Sequence, residues 1–291
     1  MRTEKEMLDL ILQTAKEDER IRAVVMNGSR TNPKAPRDCF QDYDIVYVVR
    51  DVRPFADNLD WIDRFGKRII LQMPEREQYF SQESQGIFVY LMLFVDGNRI
   101  DLTLIPSRRT NELIEKSSLS RILLDKDEII APFPSSSDRD YWIQPPTTLT
   151  FDACCNNFWW VSPYVAKGLW RKEPTYAKAM LEEPIRAELQ KMVTWHAGIR
   201  TAFSVSAGKC GKYLENYLEA SIWQAYLKTF PDAQIEHIWQ ALFQMGDLFR
   251  TLAKDVAKCF DFVYPASDDQ AVSRYLRHIH ELAEDAEEIY R

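Results

Sequence analysis

The chain has 291 residues with a formal charge of −7, and 46% of them are hydrophobic. That is enough apolar material for one large domain or two ordinary ones, and it excludes an intrinsically disordered chain. The acidic balance argues against a general nucleic-acid binder, whose affinity comes from neutralising phosphates, and suits a receptor for a polycation.

No apolar run approaches the ~20 residues of a membrane span, and Met1 to Arg20 is too charged for a secretory signal. We therefore expect a cytoplasmic location and no membrane partner. Five cysteines (Cys39, Cys154, Cys155, Cys210, Cys259) show no metal-type spacing and read as reduced thiols.

In chain order, Glu4 to Glu19 carries Met7, Leu8, Ile11, Leu12 and Ala15 at helical spacing, which predicts an amphipathic helix packed on a sheet. Ile21 to Met26 is β-branched and apolar and predicts a strand, which ends in Asn27-Gly28-Ser29-Arg30. A connection with Pro33 and Pro36 follows, and Asp42-Tyr43-Asp44 then opens a second apolar strand running to Val49. Strand residues alternate faces, so Asp42 and Asp44 point the same way with Cβ atoms roughly 6–7 Å apart. Two carboxylates that close need a counter-charge, and a divalent metal with a preference for hard oxygen ligands supplies one. Gly28 lets backbone approach a phosphate, which the following N–H groups and the Ser29 hydroxyl can hold. A Gly-Ser turn or an Asp-x-Asp alone is commonly a solvated turn. The order strand, Gly-Ser, short connection, Asp-x-Asp, strand is far more specific, because it couples a phosphate cradle to metal carboxylates.

Phe55 to Phe65 predicts a short helix, Lys67 to Leu71 a strand, and polar Glu75 to Gln85 a loop. Ile87 to Val95 predicts a strand, Asp96-Gly97-Asn98 a hairpin turn, and Arg99 to Ile105 the antiparallel return. On that return Asp101 shares a face with Thr103 and Ile105. A carboxylate amid an apolar run must find a partner, either an arginine or the metal of the Asp42–Asp44 pair. Thr110 to Ser117 predicts a short helix, Arg121 to Leu124 is a short apolar run, and Asp125-Lys126-Asp127 reads as a solvated turn.

Composition then shifts. Ala131-Pro132-Phe133-Pro134 with Ser135 to Ser137, and Pro145-Pro146, bracket a stretch that cannot continue a helix or central strand. We place domains at 1–134 and 147–291, with a linker at 135–146. Helical periods dominate afterwards. Thr150 to Arg171 opens with an N-cap pattern and contains Pro163, which should kink it. Its adjacent Trp159 and Trp160 cannot both face a core, so one can line a cleft, and Asp152 can offer charge to a cation. Thr175 to Phe203 predicts further helix interrupted at Pro184. Gly208-Lys209-Cys210-Gly211-Lys212 lacks Walker A spacing and reads alone as a turn between helices. Tyr213 to Phe230, Ile235 to Phe260 and Asp268 to Tyr290 complete the predicted helices, and His278 and His280 are wrongly spaced for a shared metal.

Gly28-Ser29 with Asp42-x-Asp44 resembles the nucleotidyltransferase superfamily of DNA polymerase β. More narrowly, Asn27 to Asn32 and Phe40 to Ile45 resemble the aminoglycoside 6-adenylyltransferases, also called streptomycin adenylyltransferases, and the likeness continues through Asp101 to Pro106, Leu123 to Asp127 and Phe158-Trp159-Trp160. The resemblance implies an α+β protein: an N-terminal polymerase β-like nucleotidyltransferase mixed sheet with helices, then a C-terminal all-α helical bundle. It implies transfer of AMP from ATP to the 6-hydroxyl of streptomycin, with loss of pyrophosphate and resistance to the antibiotic. In that reading Asp42, Asp44 and Asp101 hold two Mg²⁺ ions, and Asp101 also takes the acceptor proton or binds the ion on the nucleophile side. Gly28, Ser29 and Arg30 hold the β- and γ-phosphates. Lys209 or Lys212 reaches the triphosphate, with Lys167 a weaker candidate, and Asp152, Trp159 and Trp160 bind the sugar. Partners are an aminoglycoside and ATP, without nucleic acid, in a monomer or weak homodimer. Two alternatives stand beside it: a nucleotidyltransferase acting on a protein or RNA acceptor, as in toxin–antitoxin pairs, and a non-catalytic nucleotide sensor, against which the three carboxylates argue.

Overall fold

The computed structural model describes residues 1–74, 76, 86–110 and 118–290, so the loop expected at Glu75 to Gln85 and the helix expected at Thr110 to Ser117 lie almost wholly outside the described residues. The chain divides into two compact units, Met1–Asp140 and Tyr141–Arg291. The first is α+β and the second is all-α among the described residues.

The first unit is built on a six-stranded mixed sheet. Its strands are β1 (Ile21–Asn27), β2 (Tyr43–Val49), β3 (Arg68–Gln72), β4 (Phe88–Phe94), β5 (Arg99–Pro106) and β6 (Ser120–Asp125), in the order β3-β4-β5-β2-β1-β6. Only β2 and β5 run parallel. The hairpin expected at Asp96-Gly97-Asn98 joins β4 to β5, with Gly97 in the left-handed region its turn needs.

Period-two alternation divides the sheet's residues between two faces. One face is covered by helix α1 (Glu4–Glu17), whose first turn is closed by a capping box between Thr3 and Glu6, and by the short α2 (Arg53–Asp57) with the 3₁₀ turn Asp60–Phe65. Met7, Ile11, Phe55, Ile62 and Phe65 pack there on Ile45, Tyr47, Ile100, Leu102 and Leu104, and the buried Tyr47 hydroxyl donates to the Ile11 carbonyl. The predicted Phe55-to-Phe65 helix is thus two short pieces, because the chain is extended at Asn58. The other face carries a smaller cluster of Ala23, Val25, Val46, Val48, Ile105 and Ile130. Asp44 and Asp101 belong to this second face, since Asp44 lies two residues before Val46 and Asp101 four before Ile105.

The second unit opens with α3 (Thr148–Trp170), capped by Thr147 and Thr150 and continuous through Pro163. After α4 (Pro174–Met180), the interruption expected at Pro184 is a π turn, Leu181–Ile185, leading straight into α5 (Arg186–Arg200). A proline removes one ladder donor, and the wider turn absorbs the defect without ending the helix. The core forms where α3 meets α7 (Ile235–Phe260), with Phe158 stacked on Phe249 at 3.9 Å between ring centroids.

Two helical expectations are corrected here. Tyr213 to Phe230 is a 3₁₀ turn, Leu214–Asn216, followed by α6 (Ala220–Leu227). The buried Leu214, Leu218 and Tyr226 keep a helical spacing, but the backbone is extended at Glu219, whose carboxylate binds Arg200 and His196. The last helix, α8 (Ala266–Glu281), stops short of Tyr290 because Leu282 is extended and its carbonyl accepts from the Trp170 indole.

Candidate active site

The parallel pairing of β2 with β5 makes Asp44 and Asp101 direct register partners, and places Asp42 just before the start of β2. A gap that looks long in sequence is therefore one strand spacing in space, about 4.8 Å. Among the described residues Asp44 has no hydrogen-bond or ion-pair partner. Burial, and then the charges of Asp101 and Asp42, push its carboxyl up to about 6. Burial also raises Asp42, partly offset by Arg99. Asp101 has taken the arginine alternative: Arg99 Nε donates to Oδ1 at 2.7 Å and Nη2 to Oδ2 at 2.8 Å, while Nη1 lies 3.7 Å from Asp42 Oδ2.

The Gly-Ser turn closes on the same point. Gly28–Thr31 is a 3₁₀ turn running directly off β1, where Asn27 pairs with Asp44. Gly28 sits at φ +73°, and a Cβ built on it would lie 2.1 Å from Asp44 Oδ2. The hollow over Gly28 thus holds a carboxylate of this chain. The Gly28 N–H donates to the Leu119 carbonyl at 3.0 Å, and the Thr31 hydroxyl donates to the Gly28 carbonyl at 2.8 Å. The Ser29 hydroxyl has one long contact, from Gln41 Nε2 at 3.4 Å. Arg30 is buried and engaged inward: it donates to the carbonyls of Asp42 and Gln41 at 3.0 and 2.8 Å and stacks 3.7 Å above the Tyr43 ring. Its guanidinium fixes the approach of the Asp-x-Asp segment to β2.

A family model described as Streptomycin adenylyltransferase matches residues 1–279. The chain belongs to the streptomycin adenylyltransferase family. An aminoglycoside 6-adenylyltransferase of Bacillus subtilis (strain 168) is 42% identical over 281 residues, covering 96% of this chain and 99% of the relative. One of Campylobacter jejuni is 41% identical over 276 residues, 95% of each chain. A crystal structure of an aminoglycoside 6-adenyltransferase from Bacillus subtilis is 39% identical and covers 96% of this chain and 99% of its own, with a TM-score of 0.48.

Membership of this family implies a divalent metal. Among the described residues no three His, Cys, Asp or Glu side chains close around a common point, since Asp101 is turned to Arg99. The donor chemistry nevertheless fits. Asp42 and Asp44 are hard oxygen donors, Asp44 has no hydrogen-bond or ion-pair partner among the described residues, and its raised carboxyl is what a cation there would reverse.

The remaining expected site residues lie in the helical unit. Trp160 is 67% exposed and its indole N–H donates to the Tyr164 hydroxyl, and Asp152 is exposed on the same helix. Trp159 is 2% exposed, edge-on to Phe158 and Phe249 in the core, so it presents no surface to a ligand. Lys209 is exposed in the loop where Gly208, Cys210 and Gly211 all have positive φ. Lys212 lies 5.0 Å from the Tyr213 ring, and Lys167 4.7 Å from that of Tyr164. No helix among the described residues is long and apolar enough to cross a membrane. Arg99 is not among the residues the motifs pointed to; its signal was the strand period, which puts residues 99 and 101 on one face.

Proposed function

We propose that this protein transfers AMP from ATP to a hydroxyl of an aminoglycoside, with streptomycin and its 6-hydroxyl as the acceptor. The observation that supports this most directly is the Asp44–Asp101 register pair, with Asp42 beside it and the Gly28-Ser29 turn against it. The acceptor oxygen attacks the α-phosphorus, the bond from that phosphorus to the bridging oxygen breaks, and pyrophosphate leaves. Asp101 accepts the hydroxyl proton. Asp42, Asp44 and Asp101 would hold the two Mg²⁺ ions, whose chemistry when bound is to acidify the acceptor hydroxyl and offset the charge of the departing phosphate.

The Ser29 hydroxyl, with its single weak contact, donates to a phosphate oxygen. Arg30 acts one step back, because its donors are occupied by the carbonyls of Gln41 and Asp42. Lys209 or Lys212 supplies a further cation to the triphosphate, with ATP as the nucleotide. In the helical unit, exposed Asp152 offers charge to a guanidinium of the sugar and Trp160 offers a stacking face. The residues 1–134 are the nucleotidyltransferase domain and 147–291 the domain that binds the sugar. The setting is cytoplasmic, the chain is a monomer or weak homodimer, and nucleic acid is not a partner, in keeping with the charge of −7.

The test is mass spectrometry of the protein incubated with ATP, Mg²⁺ and streptomycin. A drug product heavier by one AMP, absent for Asp44→Ala with its fold intact by circular dichroism, is expected. No adduct on streptomycin or on any member of an aminoglycoside panel would overturn the proposal and send the search to protein acceptors.

A further inference from the structure

Asp101 is placed to serve a metal, yet both of its oxygens are taken. Arg99, two residues earlier on β5 and on the same face, binds them side by side at 2.7 and 2.8 Å. This two-point geometry satisfies a carboxylate well and leaves it poorly disposed toward a cation. The same guanidinium reaches Asp42 at 3.7 Å, so one arginine faces two of the three carboxylates. Among the described residues nothing else binds Arg99: no carbonyl or further acid anchors its head. Its side chain is 42% exposed, which leaves it free to move into solvent. Arg30, by contrast, is pinned by two carbonyls and a ring, and cannot leave.

We propose that Arg99 is an internal counter-ion that competes with divalent metal for Asp101, so that loading the site requires the guanidinium to release the carboxylate. Arg99 is a positioning residue here. It keeps the carboxylate ordered between catalytic cycles and limits metal binding until nucleotide phosphates contribute their own oxygens. The inference rests on the metal role given to Asp101 above.

The experiment is a Mn²⁺ titration of the full chain at fixed pH without nucleotide, followed by electron paramagnetic resonance of the free ion. Wild type is compared with Arg99→Gln, Arg99→Lys, Asp101→Asn and the double variant Arg99→Gln/Asp101→Asn. Losing a competing charge-assisted pair should tighten Mn²⁺ binding in Arg99→Gln about tenfold. Arg99→Lys, which keeps the charge and loses the fork, should fall between. In the Asp101→Asn background the Arg99→Gln gain should shrink to the small part carried by the longer Asp42 contact, which is what a specific coupling to Asp101 predicts. Unchanged or weaker Mn²⁺ binding in Arg99→Gln overturns the inference, as does an equal gain in both backgrounds, which would make the effect a general field. If Asp101→Asn alone leaves Mn²⁺ affinity unaltered, Asp101 is no ligand and the reading of the site fails with it. If Asp101→Asn weakens binding and Arg99→Gln does not tighten it, only the inference about Arg99 fails.

Discussion

Replacing Gly28 by alanine separates two readings of the Gly-Ser turn. The added Cβ would stand 2.1 Å from Asp44 Oδ2 and 3.0 Å from its carboxyl carbon, well inside contact distance. The turn cannot retreat easily, because the Gly28 N–H is tied to Leu119 and the Gly28 carbonyl accepts from Thr31. Asp44 cannot retreat through its backbone either, since β2 is held by β1 on one side and β5 on the other. The side chain must rotate off its present position. The φ of +73° adds about 1–2 kcal/mol of backbone cost for any residue with a Cβ. A displacement of about 1 Å at a reacting group can cost about 100-fold in rate. We therefore expect Gly28→Ala to fold with a modestly lower Tm, to bind Mn²⁺ more weakly, and to lose at least about 100-fold in kcat for streptomycin adenylylation. If the glycine serves chiefly as a phosphate cradle, the variant should instead raise the KM for ATP and leave Mn²⁺ affinity as it was. Wild-type Mn²⁺ affinity in Gly28→Ala would refute the reasoning.

Asp44 should destabilise the metal-free fold as it ionises. Its folded carboxyl is raised to about 6 from an ordinary 3.8, so the folded chain holds more protons between those values and stability falls as pH rises through them. Asp44→Asn should remove that slope and raise stability in EDTA at neutral pH by about 1–2 kcal/mol after allowing for partial solvation; parallel melting curves from pH 4 to 7 for the two proteins would contradict it. Arg30→Ala should cost about 1–3 kcal/mol in chemical denaturation by leaving the Gln41 and Asp42 carbonyls without their donors, and an unchanged denaturation midpoint would show that the clamp is not what holds this loop. The two tryptophans should part company. Trp159→Ala should lose about 3–5 kcal/mol from the core, whereas Trp160→Ala should leave the melting temperature alone and raise the KM for streptomycin; a large stability loss in Trp160→Ala would place it in the wrong role.

The strands of the first unit were readable because β-branched runs and alternation mark them directly, and the hairpin at Asp96 to Asn98 because its turn chemistry is local. The choice between Trp159 and Trp160 was not made from the sequence, which assigned both to the sugar; the buried stripe of α3, with Phe151, Cys155, Phe158, Ser162, Val165 and Leu169, takes in Trp159 and leaves Trp160 outside. What sequence alone could not give is proximity without periodicity. That the hollow over Gly28 is filled by Asp44 depends on the β1–β2 register, and that Arg30 turns inward depends on carbonyls of a loop with no regular pattern. The break within Tyr213 to Phe230 was hidden for a related reason. Leu214, Leu218 and Tyr226 keep the helical period on either side of Glu219, while the break coincides with long-range contacts of that carboxylate to Arg200 and His196, which no local pattern announces.

Because Asp44 and Asp101 face each other across a backbone ladder, their separation is set by hydrogen bonds that no side chain contributes. If the helical unit binds the acceptor as proposed, substitutions there can reshape what is recognised without stretching that gap. On that proposal, selection for a different acceptor can work on one half of the gene while the other half is inherited intact. A slip of β2 or β5 by a single residue would be as damaging as loss of a carboxylate, because it would turn one of them to the opposite face of the sheet.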